Sequence, residues 1–148
     1  MNSVRVYLDV CCLCRPFDDQ TQPRIFMESQ AVLEILRNCG ITWTLVLSDL
    51  IEYELSQMQD RMKYLKVYQN IPRNHEYIEV DDDTVSQYST YVSYGCSPAD
   101  AMHIALAQKA NAVFLTTDDI LLGLIKRCSN NTIVCDNPVS WLTGGDHV

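Results

Sequence analysis

Residues 97–119 read SPADAMHIALAQKANAVFLTTDD and contain a helix start, a helix body, a strand and the opening of a second helix. Ser97 is placed to cap the first helix. Pro98 takes the first helical position, where its missing N–H costs nothing, and Asp100 complements the positive end of the helix dipole. The helix runs to about Ala110. Ala112–Thr116 then reads as an apolar strand and Asp119–Arg127 as another helix. A helix feeding a short apolar strand that passes directly into the next helix is the unit from which parallel sheets are built.

The same alternation extends outward in both directions. Ser3–Asp9 reads as a first strand, with Val4, Val6 and Leu8 alternating against Arg5 and Tyr7. Cys11–Gln22 reads as a loop containing Pro16 and Asp18-Asp19. Pro23 opens a helix that carries Ile25, Val32, Leu33 and Leu36 at helical spacing and stops near Gly40. A strand follows over Ile41–Leu47, then helices from Ser48 or Asp49 to Met58 and over Asp60–Gln69. Tyr77–Val80 is a short strand or an extended link. Asp83–Tyr94 is a helix closed by Gly95, Thr132–Cys135 a strand and Pro138–Leu142 a last short helix. The expected fold is α/β: a three-layer α/β/α arrangement with a central, mostly parallel sheet. No repeat or linker divides it, so residues 1–148 are expected to form a single domain.

Composition narrows the function classes. Hydrophobic residues make up 47% of the 148-residue chain, enough for a core and too many for a disordered segment. No apolar run approaches the ~20 residues of a membrane span. The opening MNSVRVYLDV enters a strand pattern without a basic segment and long apolar stretch, so export is not expected. Seven cysteines, with Cys11, Cys12 and Cys14 crowded together, do not suit a disulfide framework, and a reducing cytoplasm is the expected compartment. They also lack the paired CxxC spacing of a zinc site, and small buried hydrophobe is their expected role. A net charge of −8 argues against a nucleic-acid binder coated in basic residues. It leaves room for an enzyme whose acids belong to a metal site.

Four acidic positions fall where a strand ends or a helix begins: Asp9, Glu54, Asp100 and Asp118. Parallel strands bring such positions to one edge, where open α/β sheets place their sites. Carboxylates gathered there repel one another unless a cation joins them, which points to a hard divalent metal. Each acid also has a structural alternative. Asp9 is placed to cap the following loop. Asp49 and Glu52 fit a capping box, which gives Glu52 a structural task. Glu54 lies about 200° further round the helix and so faces elsewhere. Asp100 is stabilising in any first helical turn. Asp118 and Asp119 compete, with Asp118 closer to the strand end and Asp119 a further metal-ligand candidate. Thr116 is placed to hold a carboxylate or a metal-bound water by its hydroxyl, and Arg15, in the loop after Asp9, to meet a phosphate, which makes both substrate-binding candidates. His103, one turn after Asp100 in an Ala/Ile/Leu-rich helix, is read as packed and hydrogen-bonded. Arg61, Lys63, Lys66 and Arg73 form the densest basic stretch, interleaved with Tyr64 and Tyr68. These tyrosines share a helical face, either stacking bases or packing on the core.

In order along the chain, these segments resemble the PIN-domain nucleases. VYLDVCCLCRPFDD resembles the first PIN strand and its leading aspartate, LSDLIEYEL the segment carrying the family's glutamate at Glu54, and SPADAMHIALA the helix carrying its third acid at Asp100. VFLTTDDILL resembles the Thr-x-Asp strand end, with Asp118 as the fourth acid, and DNPVSWL is similar to the Asn-Pro segment after the last strand. Cys11 departs from the Asn, Ser or Thr that many members carry two residues after the first aspartate. The resemblance implies a ribonuclease acting on single-stranded or structured RNA with Mg²⁺ or Mn²⁺. Asp9, Glu54, Asp100 and Asp118 would be its catalytic acids. It further implies a VapC-like toxin that forms a homodimer and is restrained by an antitoxin protein. An inactive PIN-like module binding RNA or protein is the alternative. A phosphoacceptor receiver domain fits less well, because Thr132–Pro138 lacks the late-strand lysine that such a site uses.

Overall fold

The computed structural model describes residues 3–128 and 133–144. Among them, β1 (Val4–Leu8), β2 (Trp43–Ser48), β3 (Glu76–Ile78), β4 (Ala112–Leu115) and β5 (Cys135–Asp136) form one sheet. Its order is β3-β2-β1-β4-β5, and every pairing is parallel. Helices flank this sheet, giving the expected three-layer α/β/α architecture. They are α1 (Val10–Cys14), α2 (Pro23–Asn38), α3 (Asp49–Ser56), α4 (Arg61–Asn70), α5 (Asp82–Ser93), α6 (Pro98–Lys109), α7 (Asp119–Arg127) and α8 (Pro138–Thr143). No helix among the described residues is long and apolar enough to cross a membrane.

The chain builds outward from β1 through β2 to β3, then returns to the other side of β1 for β4 and β5. The strand order therefore reverses between β1 and β4, and the crevice at their carboxyl ends is the position where open parallel sheets bind ligands. Leu8 pairs with Leu115, and the Asp9 N–H donates to the Leu115 carbonyl at 2.9 Å. That bond fixes where β1 stops.

Several local readings change. Alternation along β1 assigns Tyr7 to the opposite face from Val6 and Leu8, yet Val6, Tyr7 and Leu8 are all fully buried. A central parallel strand is covered on both faces, so alternation does not separate core from solvent there. The expected loop at Cys11–Gln22 begins as helix: α1 spans Val10–Cys14 and a 3₁₀ turn spans Arg15–Phe17. Pro16 sits at the start of that turn, where a missing N–H is tolerated. In α2 the buried stripe runs through Glu28, Val32, Ile35 and Leu36, while Ile25 and Leu33 are only partly covered. Thr132, expected to open the last strand, lies outside the described residues.

The capping box expected at Asp49 and Glu52 is not the one that forms. Ser48 caps α3, its hydroxyl accepting the Ile51 N–H at 3.2 Å. Asp49 instead accepts the Tyr77 hydroxyl at 2.6 Å and the Val80 N–H at 2.8 Å, tying α3 to the β3 edge. Glu52 accepts the Tyr68 hydroxyl. Tyr64 and Tyr68 pack on each other, ring centroids 4.9 Å apart, and against the core, so the base-stacking alternative is set aside for this face.

One buried charge ties the layers together. Glu28 in α2 is 1% exposed and accepts hydrogen bonds from Arg15 Nε at 2.9 Å, Arg24 Nε at 3.1 Å and Asn137 Nδ2 at 2.6 Å. Asn137 in turn caps α8 through Val139 N–H. A carboxylate removed from water is tolerated because three donors meet it. Glu28→Ala strands those donors and is expected to cost about 3 kcal/mol in urea unfolding. Asp119→Asn, which breaks only an exposed pair with Arg24, is expected to leave the urea midpoint unchanged.

Candidate functional site

Backbone geometry delivers the acids to one edge. Asp9 follows β1 and precedes α1. Glu54 lies in the last turns of α3, which starts directly at the end of β2. Asp100 is in the first turn of α6, capped by Ser97 as the sequence suggests, with Ser97 Oγ 3.3 Å from Asp100 N. Asp118 follows β4 and caps α7, its carboxylate accepting the Leu121 N–H at 3.1 Å.

The tightest grouping joins Asp9, Glu54 and His103, with one ligand atom from each lying within 4.8 Å of the others. His103 Nε2 is 2.5 Å from Glu54 Oε1 and 3.9 Å from Asp9 Oδ1. The Thr116 hydroxyl donates to Asp9 Oδ2 at 2.9 Å and accepts the Asp118 N–H at 3.2 Å. Cys11 Sγ lies 3.5 Å from Thr116 Oγ1 and accepts from the Thr117 hydroxyl at 3.2 Å. Hydrogen bonding with Cys12, and then with Thr116 and Thr117, lowers the Cys11 thiol below its ordinary value.

Asp100 reports the crowding. Its carboxyl is raised above the usual range, first by burial, then by the charges of Asp9 and Asp118, against a bond with Ser97. Asp100 is thus close enough to feel the charges of Asp9 and Asp118, which share the Thr116 hydroxyl as a hydrogen-bond partner. Acidic oxygen donors gathered at one edge favour a hard divalent cation.

The remaining candidates go elsewhere. Asp119 forms a two-point pair with Arg24, at 2.7 and 2.9 Å, and this lowers its carboxyl. Arg15 donates to Glu28 and, at 3.2 Å, to Asp18. Lys63 also bonds Asp18, at 2.9 Å. Glu52 faces Tyr68, on the far side of α3 from Glu54. Sequence reading places His103 in the interior but does not reach its contact with Glu54. It misses Tyr7 altogether: the Tyr7 hydroxyl lies 2.7 Å from both Ser48 Oγ and His103 Nδ1. The available signal is a tyrosine two residues before the strand-end acid and a histidine three residues after Asp100.

Comparison with known proteins agrees with this geometry. No curated protein matches the chain in sequence. Similar solved structures include VapBC2 from Rickettsia felis bound to a DNA fragment from its promoter, with a TM-score of 0.62 and 12% identity over 90% of this chain and 98% of that one. FitAcB from Neisseria gonorrhoeae has a TM-score of 0.59 and 15% identity over 90% and 97% of the two chains. A toxin–antitoxin complex from Klebsiella pneumoniae has a TM-score of 0.57 and 12% identity over 90% and 97%. At such identities the likeness establishes the fold alone. The family model for the PIN domain matches residues 6–124, most of the sheet and all of the acidic edge, and the chain belongs to the PIN domain family.

Proposed function

We propose that this PIN domain is an endoribonuclease dependent on Mg²⁺ or Mn²⁺ and the toxin of a toxin–antitoxin pair. It acts as a cytoplasmic homodimer of single-domain chains until an antitoxin protein binds it. The observation that carries the reading is the meeting of Asp9 and Glu54 at the carboxyl edge of a parallel sheet, with the Asp100 carboxyl raised by burial and then by its acidic neighbours. The partner assignment is supported by fold likeness to toxin–antitoxin complexes.

Asp9, Glu54, Asp100 and Asp118 are the residues that would hold the cation. When bound, a hard divalent cation supplies an activated water and offsets charge on the scissile phosphate. The chain's own residues prepare that chemistry. Thr116 orients Asp9 through its hydroxyl, and the start of α7 orients Asp118. Asp119 is left to Arg24 and does not join the ligand set. Arg15 supports the turn behind Asp9 through Glu28 and Asp18. No nucleophilic side chain is needed.

In a cleavage assay on single-stranded RNA with Mg²⁺ or Mn²⁺, Asp9→Asn and Asp100→Asn are each expected to lose roughly a hundredfold or more of the rate, with unchanged circular dichroism. EDTA is expected to abolish wild-type cleavage. Full activity in both variants would sink the assignment. A wild-type protein inert with either metal would instead favour a non-cleaving module that binds RNA or protein. Stability provides a separate readout. Because folding raises the Asp100 pKa, its favourable contribution is complete only below the ordinary carboxylate range and is lost as pH rises through the raised value. Metal-free Asp100→Asn is therefore expected to melt above metal-free wild type at pH 7. The gap should close as the pH falls into the carboxylate range.

A further inference from the structure

Behind Glu54 lies a chain of buried groups that the proposed chemistry does not use. Tyr7 and Ser48 are fully buried and His103 is 1% exposed. The Tyr7 hydroxyl bridges Ser48 Oγ and His103 Nδ1, each at 2.7 Å, and His103 Nε2 reaches Glu54 Oε1 at 2.5 Å. We propose that Ser48, Tyr7 and His103 form a relay that positions Glu54 for metal binding, with His103 as a hydrogen-bond donor rather than a metal ligand. This inference rests on the metal-dependent reading above.

Counting donors and acceptors decides the role of His103. Ser48 Oγ already accepts the Ile51 N–H, so its own proton is available to Tyr7. Tyr7 then donates to Nδ1, and a neutral imidazole with Nδ1 as acceptor carries its proton on Nε2, facing Glu54. The reverse order has Nδ1 donating to Tyr7 and Tyr7 donating to Ser48. In a neutral ring that leaves a bare Nε2 against a carboxylate oxygen at 2.5 Å, an acceptor facing an acceptor. Relief requires a proton in that contact, and because an imidazole is more basic than a carboxylate the proton sits on Nε2, which makes the ring an imidazolium. Both workable arrangements therefore protonate Nε2 and direct it at Glu54. A protonated nitrogen has no lone pair for a cation. The cluster of Asp9, Glu54 and His103 looks like a mixed nitrogen–oxygen ligand set by distance alone. By donor counting it is an oxygen set with a histidine behind it, which suits Mg²⁺ or Mn²⁺.

The relay also explains the fully buried tyrosine on β1. Its ring packs edge-on to His103, centroids 5.6 Å apart, and against Phe114 at 5.9 Å. Ring packing limits how far the imidazole can turn, and the hydroxyl selects its orientation. Partners that hold a metal-binding side chain in place typically account for ten- to a hundredfold in metal affinity or activity.

The test is calorimetric titration of MnCl₂ alone into metal-free wild type, Tyr7→Phe, His103→Ala and His103→Gln, with thermal midpoints recorded without metal. Tyr7→Phe keeps the ring and removes the hydroxyl, and it is expected to weaken Mn²⁺ binding about tenfold. His103→Ala is expected to lose more than Tyr7→Phe, and His103→Gln, which restores an N–H donor, to recover part of that loss. Mn²⁺ affinity unchanged in Tyr7→Phe and His103→Ala overturns the relay while leaving the acidic site intact. Affinity retained in Tyr7→Phe but equally lost in both His103 variants makes His103 a direct ligand and overturns the positioning role. Absence of Mn²⁺ binding by the wild type overturns the metal-dependent reading itself, and the relay with it.

Discussion

The double pairing of β1, with β2 on one side and β4 on the other, is the constraint on which the site depends. Val6, Tyr7 and Leu8 are buried on both faces, so a slip of one residue exchanges every side chain between two filled layers. Register is therefore tightly held, and with it the positions of groups that no local sequence signal relates. The Leu8–Leu115 pair sets Asp9 beside Thr116 across the switch point. Pairing on the other side brings Ser48, at the end of β2, within reach of the Tyr7 hydroxyl.

Two kinds of carboxylate environment coexist around that scaffold. Glu28 is enclosed but receives two guanidinium groups and an amide. The edge acids receive mostly neutral donors: a threonine hydroxyl on Asp9, a backbone N–H on Asp118 and the Ser97 side chain on Asp100. The nearby cations are committed. Arg15 and Arg24 are held by Glu28, with further contacts to Asp18 and Asp119, and Lys63 is held by Asp18. Fold stability alone would favour moving one of these cations to the edge. Leaving the edge uncompensated is the kind of local conflict that proteins keep at functional sites.

Strand and helix positions were legible because periodicity and capping are local. Asp9, Asp100 and Asp118 were legible as strand-end or helix-start acids for the same reason. Choices between adjacent residues were not. Ser48 and Asp49 are both good caps, and the decision came from Tyr77 and Val80, which draw the Asp49 carboxylate away from its own helix. Asp118 and Asp119 separate in the same way, through Arg24, 95 positions distant in sequence. Helix α1 was hidden because it spans only five residues and runs directly into Arg15 and Pro16. Glu28 did leave a trace: it occupies the apolar stripe of α2, four residues before Val32, where an acid requires a buried partner. Tyr7 left only its place two residues before Asp9, since a strand covered on both faces carries no alternation to mark an inward hydroxyl.

Cys11 shows how a departure from the usual family pattern is absorbed. Thr116 gives its proton to Asp9, so its oxygen is left to accept. The Asp118 N–H donates to that oxygen, and the Cys11 thiol lies 3.5 Å away with a proton to offer. Cys11 accepts in turn from Thr117. The order Thr117 to Cys11 to Thr116 to Asp9 uses each hydrogen once, as does the order Ser48 to Tyr7 to His103 to Glu54. A thiol is a weak donor, but this link needs only to orient a hydroxyl already bound to the carboxylate. Asp9 and Glu54 are thus each held from behind by a file of hydrogen-bond donors. In its neutral form such a file fixes direction without cancelling charge. Pairing either acid with arginine would fix it equally well and would neutralise the negative charge that a cation requires.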